Sequence, residues 1–303
     1  FVISAAISVI LSNTILQPIR GMTSAAEAMA DGDFSQKIAV ESGDELGVLS
    51  GTFNTMASQL EATLEELTKA EKLRRDFVAN VSHELRTPLT SIRTYAETLA
   101  ENDDLPEDTR AEFLRVILNE SDRMTKIVQD LLELSKFDSG NAELNMEEFS
   151  LDRSLREVYA AISLPAEQRG HRINLELEWK LPDVTGDRAR IEQVLMNIMT
   201  NAVKYTPGGG EIDITSGRSG ANVWVKISDT GIGIPPEDIP HIFDRFYRVD
   251  KARSRESGGT GLGLAIAHEI IVRHGGEILV ESAPGAGTAM TVLLPIEGRA
   301  YEA

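Results

Sequence analysis

Apolar residues recur at steps of three and four through the first half of the chain, and this repeat restricts the possible folds more than any other feature. A helix with this spacing carries one apolar stripe, which must pack against another helix. The stripe occurs in four segments: Ile19, Met22, Ala26 and Met29; Leu46, Leu49, Phe53, Met56 and Leu60; Phe77, Val81, Leu85, Leu89, Ile92, Ala96 and Leu99; and Phe113, Ile117, Met124, Ile127, Leu131 and Leu134, with the charged Glu120 at one position of the last segment. The sequence therefore predicts that this half is all-α.

The breaks between the stripes predict how these helices are connected. Residues 31–33 (Asp-Gly-Asp) end the first helix, and a short stretch leads to a second helix that begins near Asp44. The stretch 102–106 ends in Pro106 and is typical of a helix-hairpin loop. Two hairpins from two chains make a four-helix bundle, so we expect a homodimer.

The first 16 residues contain no charged side chain, and Arg20 lies just beyond them. A full membrane span needs about 20 apolar residues, and the basic start and cleavage site of a signal peptide are missing. We interpret residues 1–16 as the last part of a transmembrane helix with Arg20 on the cytoplasmic side. A buried helix of a soluble protein is the alternative.

Composition excludes several functions. The chain has 48 acidic and 30 basic residues, a net charge of −18, and no cysteine. An overall acidic chain does not attract nucleic acid through its general field, so we expect no nucleic-acid partner. Thiol nucleophiles, disulfides and cysteine metal sites are excluded. A phosphate ligand would have to be held locally, by loops and helix ends.

From about residue 150 the apolar pattern changes to a mixture of strands and helices. Alternation predicts strands at Ile173, Leu175 and Leu177, at Val223, Val225 and Ile227, and at Met290, Val292 and Leu294. Helices are predicted at roughly 152–164, 187–205 and 261–274. This order indicates an open sheet with helices on one face, an α/β sandwich.

His83 is the first candidate for chemistry. It follows Val81 by two residues, about 200° around the helix, so its side chain faces away from the apolar stripe. An exposed neutral imidazole can attack a phosphoryl donor. The adjacent Glu84 can hold one ring nitrogen as N–H and leave the other to attack. Thr87 lies one turn further on, and Pro88 predicts a kink beside the histidine.

Polar residues on the predicted helix at 187–205 suggest a phosphate and metal site. Asn197, Asn201 and Lys204 share its polar face. Asparagine is unfavourable in the middle of a helix, so its presence there needs a reason. Its amide oxygen is a suitable ligand for Mg²⁺, and a lysine is suited to binding phosphates.

Two glycine-rich segments point to a nucleotide. Asp229 ends a predicted strand and opens the run Asp-Thr-Gly-Ile-Gly, so its carboxylate can accept a hydrogen bond from an adenine amino group. Residues 258–264 (Gly-Gly-Thr-Gly-Leu-Gly-Leu) open a helix, where backbone N–H groups can bind phosphates. The spacing differs from the dinucleotide fingerprint.

These motifs resemble those of two-component sensor histidine kinases over nearly the whole chain. Residues 77–90 (FVANVSHELRTPLT) are similar to the H box, and Pro18 with residues 44–47 resembles a HAMP domain. The C-terminal half resembles the GHKL (Bergerat) ATP-binding fold: Asn197, Asn201, Lys204 and Tyr205 match the N box; Asp229, Gly231 and Gly233 the G1 box; Phe243, Phe246, Tyr247 and Arg248 the F box; and Gly259, Gly261 and Gly263, with Thr260 and Leu262 between them, the G2 box.

The resemblance implies that ATP phosphorylates His83 and that an aspartate of a response-regulator receiver domain then accepts the group. It implies that Glu84 orients the imidazole and that Thr87 positions water when the protein acts as a phosphatase. It further implies that Asp229 reads adenine, that Asn201 and Asn197 hold Mg²⁺, that Lys204, Tyr205 and Arg248 contact phosphates, and that residues 235–258 form a lid with the basic residues Arg245, Arg248, Lys251, Arg253 and Arg255.

The implied organisation is multidomain. Residues 1–16 end a transmembrane helix, 17–68 form the HAMP relay, 69–140 the dimerisation and phosphotransfer hairpin, and 149–298 the ATP-binding domain. This describes a cell-membrane protein whose other domains are cytoplasmic. The sequence leaves open whether ATP bound by one chain phosphorylates His83 of the same chain or His83 of the other chain in the dimer.

Two other functions are compatible with parts of the pattern. A GHKL ATPase of the chaperone or mismatch-repair class would have a glutamate in place of Asn197 to activate water, and would lack the H box. A non-enzymatic scaffold would not need every box intact.

Overall fold

The computed structural model describes residues 1–39, 44–102, 104–139, 143–249 and 259–297. The chain divides into two compact units, Phe1–Ala79 and Asn80–Ala303. Four parts of the predicted pattern lie wholly or partly outside the described residues: positions 40–43 of the connector, Asp103 of the hairpin loop, positions 250–258 of the lid with Lys251, Arg253, Arg255 and Gly258, and the last residues from 298.

The first unit opens with a continuous helical run. Helix α1 (Val2–Leu11) passes through a turn of π-helix (Ser12–Leu16) into α2 (Gln17–Ala30). Pro18 is the second residue of α2, where its missing N–H is tolerated. The run is 29 residues long, and its most apolar stretch has a mean hydropathy of 1.7. No residue of that stretch is buried. The run extends beyond Leu16, and its length and composition are sufficient to cross a membrane.

A second, longer helix follows the connector. Helix α3 (Glu45–Glu101) begins directly after Asp44, whose Oδ1 accepts a hydrogen bond from the N–H of Leu46 at 3.0 Å. The Asn54 amide donates to the carbonyl of Ile38 and accepts from its N–H, both at 2.9 Å. These bonds fasten the described end of the connector to α3. The predicted stripe residues Leu49, Met56 and Leu60 are exposed in a single chain.

The second unit starts as a helical hairpin. Helix α3 continues through Pro88 to Glu101, and α4 (Glu107–Asp138) returns beside it. The rings of Tyr95 and Phe113 pack 5.0 Å apart across the pair. Helix α4 has two apolar rows: the predicted one contains the buried residues Ile127 and Leu134, and the other is exposed and consists of Leu114, Leu118, Val128 and Leu132.

The remainder is an α/β sandwich. Its elements are β1 (Glu147–Phe149), α5 (Leu151–Gln168), β2 (Arg172–Glu176), β3 (Val184–Gly186), α6 (Arg188–Tyr205), β4 (Glu211–Ser219), β5 (Asn222–Asp229), α7 (Gly263–Arg273), β6 (Glu277–Ala283) and β7 (Gly287–Pro295). The side chains of Ser150 and Asp187 cap α5 and α6 by accepting N–H groups of the first turn.

Five strands form the sheet in the order β2-β4-β5-β7-β6. Strands β2 and β4 are parallel, and the other neighbours are antiparallel. Helices α5, α6 and α7 pack against the sheet, and their fully buried residues include Leu195 and Ile270, with Ile214 from β4. The predicted fold class, helical domains followed by an α/β sandwich, is confirmed. The apolar alternation did not reveal β4 and β6 of this sheet, nor β1 and β3, which pair antiparallel as a separate two-stranded sheet.

Candidate active site

His83 lies on the exposed surface of α3. Its side chain is 58% exposed, and its Nδ1 lies 4.0 Å from the nearest carboxylate oxygen of Glu84. The hydroxyl of Thr87 donates to the backbone carbonyl of His83 at 3.3 Å. The imidazole is therefore accessible to a ligand that approaches from solvent or from another domain.

Glu84 connects the two parts of this unit. Its Oε2 is 3.1 Å from Arg123 Nη2 on α4, and its Oε1 is 3.5 Å from Arg248 Nη1 in the segment before α7. The Glu84 and Arg248 side chains are 16% and 8% exposed, so solvent screens this pair weakly. The 4.0 Å separation from His83 is longer than a hydrogen bond. In this structure Glu84 is thus bound to arginines rather than to the imidazole, and Arg248 contacts a carboxylate.

A cavity of about 540 Å³ lies between α6, the end of β5, the segment before α7 and helix α4. The sequence-predicted residues that line it are Asn197, Asn201, Lys204, Tyr205, Asp229, Gly233, Arg248, Gly259, Thr260, Gly261 and Gly263. Gly231 and Leu262 are not among the lining residues. Leu262 is fully buried, and the Gly231 N–H donates to Asp229 Oδ1 at 2.8 Å. The four boxes thus converge on one cavity.

Asp229 presents a fixed carboxylate at one end of the cavity. Its Oδ1 accepts hydrogen bonds from the N–H groups of Gly231, at 2.8 Å, and Thr288, at 3.2 Å. Burial raises its pKa, and these two hydrogen bonds oppose that rise. Among the described residues Oδ2 has no hydrogen-bond donor, so it can accept an exocyclic amino group. Thr288 was missed because its contact with Asp229 depends on the pairing of β5 with β7.

The two asparagines of α6 have the chemistry of a magnesium site. The Asn197 amide donates to the carbonyl of Gly263 at 3.0 Å, which leaves its oxygen available as a ligand. Asn201 follows one turn later and lines the same cavity. Within the described ranges no cluster of three or more acidic or histidine side chains could hold a metal by itself. Neutral amide oxygens therefore fit a Mg²⁺ ion that takes its other ligands from phosphates and water.

Lys204 lies among other cations in the wall of the cavity, close to Gly259 and Arg248. Its pKa is lowered to about 8, first by burial and then by the positive charges of Arg248, Arg123, Lys126 and Arg169. The ammonium group is 4.8 Å from the ring centroid of Tyr205. A buried, crowded ammonium is favourable only when an anion joins it, which suits a polyphosphate.

Backbone conformation brings the glycine segment close to its neighbours. Gly261 has φ of +73°, which a side chain would strain. Its carbonyl accepts the N–H of Phe246 at 2.9 Å, and Phe246 itself has φ of +63°. A residue other than glycine in the left-handed region is uncommon and concentrates at functional loops. The F-box and G2-box segments are therefore locked together beside the cavity.

Polar contacts between α4 and the sandwich were not predicted. The hydroxyl of Thr260 donates to Asp130 Oδ2 at 3.0 Å, and both residues are buried. Arg245 forms two hydrogen bonds with Asp138, at 2.8 and 2.5 Å, and Arg190 pairs with Glu133 at 2.5 Å. One signal was present in the sequence. Asp130 lies among the stripe residues of α4, where a carboxylate needs a buried partner.

A helical hairpin with an exposed histidine, next to an α/β domain with this cavity, defines the catalytic region of a histidine kinase. Three families match consecutive parts of the chain. The HAMP domain matches residues 10–62, and the His Kinase A (phospho-acceptor) domain matches residues 73–140. The Histidine kinase-, DNA gyrase B-, and HSP90-like ATPase family matches residues 186–298, which identifies the sandwich as an ATP-binding domain.

Individual relatives agree. The chain is 42% identical to the sensor histidine kinase WalK of Bacillus subtilis, over 89% of this chain and 46% of WalK. The structure of Acinetobacter baumannii histidine kinase AdeS has a TM-score of 0.59 at 29% identity, over 71% of this chain and 98% of that one. Histidine kinase ThkA, solved in complex with response regulator protein TrrA, has a TM-score of 0.62 at 30% identity, over 78% of this chain and 67% of the ThkA chain. The chain spans about half the length of the first curated relatives it matches. The chain belongs to the two-component sensor histidine kinases, and that prediction is confirmed.

Proposed function

We propose that this chain is the signalling part of a membrane sensor histidine kinase, in which ATP phosphorylates His83 and the group then passes to an aspartate of a response regulator. One observation carries the proposal. The exposed His83 and the cavity belong to the same compact unit, and Arg248 of the cavity contacts Glu84, the residue next to His83. A nucleotide in the cavity would therefore have its phosphates directed toward the phosphoacceptor helix.

The chemical step needs only side chains that are present in this unit. Glu84 Oε1 lies 4.0 Å from Nδ1 of His83 in this structure, and closing that gap to a hydrogen bond would keep the proton on Nδ1, so that the Nε2 lone pair attacks the γ-phosphorus. The Nε2–phosphorus bond forms as the bond to the β,γ-bridging oxygen breaks, and ADP leaves. The ring becomes positively charged, and Glu84 stabilises that charge and can accept the Nδ1 proton. Positioning and charge stabilisation supply most of the catalysis in such transfers.

The cavity residues are assigned to the parts of ATP. Asp229 accepts the adenine amino group, and Lys204, Tyr205 and Arg248 bind phosphates. The amide oxygens of Asn197 and Asn201 would hold Mg²⁺, which neutralises charge on the phosphates when it is bound. In this proposal the HAMP relay spans residues 17–68, the dimerisation and phosphotransfer hairpin spans 69–140, and the ATP-binding domain spans 149–298.

The partners follow from the hairpin and the N-terminal helix. ThkA is described in a complex with a response regulator protein, which supports a receiver domain as the partner of this chain. Thr87, one turn from His83, would position water when the phosphorylated regulator is hydrolysed. The exposed apolar row on α4 supports a homodimer. The apolar helical run Val2–Ala30 supports a location in the cell membrane with the other domains in the cytoplasm.

Labelling with γ-³²P ATP tests the proposal. We expect an acid-labile label that His83→Gln removes while ATP binding persists. His241→Gln is the matched control, since His241 has a similar side-chain exposure of 55%, and it should keep the label. Release of free phosphate without a labelled protein would instead indicate a GHKL ATPase, and no turnover would indicate a scaffold. Label retained by the His83 variant would overturn the assignment of the phosphoacceptor.

A further inference from the structure

A lysine from the helical hairpin lies in the wall of the nucleotide cavity. Lys126 of α4 lines the cavity together with Lys204, Arg248 and Gly259 of the ATP-binding domain. It belongs to none of the sequence boxes. It follows Arg123 by three residues, so the two side chains are neighbours on the helix. Arg123 bonds to Glu84, next to His83. Lys126 therefore lies on the side of the cavity that faces the phosphoacceptor.

The charges at this end of the cavity are not balanced. Arg123 pairs with Glu84 and Glu120, at 3.1 and 3.8 Å, and Arg248 pairs with Glu84. Neither Lys126 nor Lys204 forms an ion pair within the part of the chain that the structure describes. Two unpaired ammonium groups that face one cavity, in a chain with a net charge of −18, form a local anion site.

The effect of Lys126 on its neighbour supports this view. Its positive charge is one of the causes that lower the pKa of Lys204, after burial and the charges of Arg248 and Arg123. Such repulsion between cations disappears when a polyanion binds between them. Asp229 is the proposed contact of adenine, whereas Lys204 and Arg248 come together at Gly259 and Lys126 acts on the charge of Lys204. The part of ATP that reaches these cations and α4 is therefore the end of the phosphate chain.

We propose that Lys126 binds the terminal phosphate of ATP, so that the helical hairpin itself takes part in recognising a triphosphate. This inference rests on the proposed function and deepens it. ADP lacks the phosphate that reaches α4, so the lysine should discriminate between the two nucleotides. Lys126, Arg248 and Glu84 belong to one chain, and the contact therefore brings ATP to the hairpin of the same chain that binds it.

A purely structural role for Lys126 predicts a different result. Lys126 also lies near Asp130, one turn further along α4, and its charge lowers the pKa of that carboxyl. If Lys126 served only to support Asp130 and the contact with Thr260, its loss would weaken ATP and ADP binding equally. The ratio of the two affinities therefore separates phosphate binding from structural support.

The test compares binding of ADP and of the non-hydrolysable β,γ-imido analogue of ATP by calorimetry, on the purified chain with Mg²⁺. We expect Lys126→Ala to weaken binding of the triphosphate about tenfold or more, because a charge-assisted hydrogen bond is lost, and to leave ADP binding nearly unchanged. Lys126→Arg keeps the charge and should retain most of the affinity. Lys136→Ala, an exposed lysine of the last turn of α4, is the matched control and should change neither nucleotide.

Three outcomes would overturn the inference. They are an unchanged triphosphate affinity in Lys126→Ala, an equal loss for both nucleotides, or a loss in Lys126→Arg as large as in Lys126→Ala. If the unsubstituted chain bound neither nucleotide, the proposed function itself would fail, so the two failures can be distinguished.

Discussion

The ATP-binding domain buries its core within one chain, with Leu134 and Phe137 of α4 joining it, whereas the helical hairpin leaves a row of leucines in solvent. Leu195 is fully buried under the sheet, while Leu118 and Leu132 on α4 are 62% and 59% exposed. A sheet covered by three helices can bury its apolar face within one chain. Two antiparallel helices cannot bury two apolar rows. The first region therefore buries its apolar surface within one chain, and the second leaves an apolar row that the proposed homodimer would cover.

The largest expected effect is a loss of stability in the core of the ATP-binding domain, which one chain completes. Leu195→Ala removes buried methyl groups under the sheet and should lower the free energy of unfolding of this domain by about 2–5 kcal/mol. Both tryptophans, Trp179 and Trp224, lie in this domain, so fluorescence during urea unfolding reports it selectively. Leu164→Ala, at an exposed position of α5, is the control and should have little effect. A loss below about 1 kcal/mol in Leu195→Ala would mean that the core is not closed as described.

The next largest effect should appear in assembly rather than in folding. Leu118→Glu places a charge in the exposed row of α4 and should weaken the dimer about tenfold or more. Tryptophan-detected unfolding should be unchanged, because the substituted residue lies outside the sandwich. Sedimentation velocity measures the dimer, and Leu164→Glu, with a similarly exposed leucine on α5, should leave it intact. A dimer that tolerates the first substitution would show that this row is not the interface.

The smallest effect concerns the point where the two regions meet. Burial raises the pKa of Asp130 above its ordinary value, and the hydrogen bond from Thr260 and the charge of Lys126 oppose that rise. A raised carboxyl pKa means that the folded protein favours the protonated acid. This group therefore destabilises the fold at neutral pH, and the penalty fades as the pH falls toward the ordinary value.

Asp130→Asn keeps an acceptor for Thr260 without the charge. We expect it to raise the free energy of unfolding by less than about 1 kcal/mol at pH 7, and we expect a still smaller rise near pH 4. Asp122→Asn, on the exposed side of α4, is the control and should change neither value. Calorimetric unfolding at the two pH values measures both variants. A destabilised Asp130→Asn protein at pH 7 would show that the charge itself holds the contact.

The sequence predicted local patterns well, because they depend on neighbours in the chain. Heptad spacing identified α3 and α4, and the position of His83 two residues after Val81 agrees with its exposed side chain. The polar face of α6 and the two glycine segments were expected to meet, and they line one cavity. The phosphate, adenine and metal roles of these residues stay predictions.

Contacts between segments that are far apart in the sequence could not be predicted from any local pattern. Arg248 meets Glu84 across 164 positions of sequence, and nothing beside either residue indicates the other. Strand β4 was missed because Ser216 follows Ile212 and Ile214 on the inward side and interrupts the apolar alternation. Strand β6 lies at the edge of the sheet and has a single buried position, Ile278. These features depend on tertiary packing rather than on local propensity.

The position of Arg248 links the cavity to the residue beside the proposed phosphoacceptor. In the described structure the Glu84 carboxylate lies 3.1 Å from Arg123 and 3.5 Å from Arg248. Any movement that draws Arg248 toward phosphates takes one of these counter-ions away from Glu84 and leaves its carboxylate free to turn toward the imidazole. Arrival of the phosphoryl donor and the orientation of the neighbouring ring would thus be coupled through a single arginine.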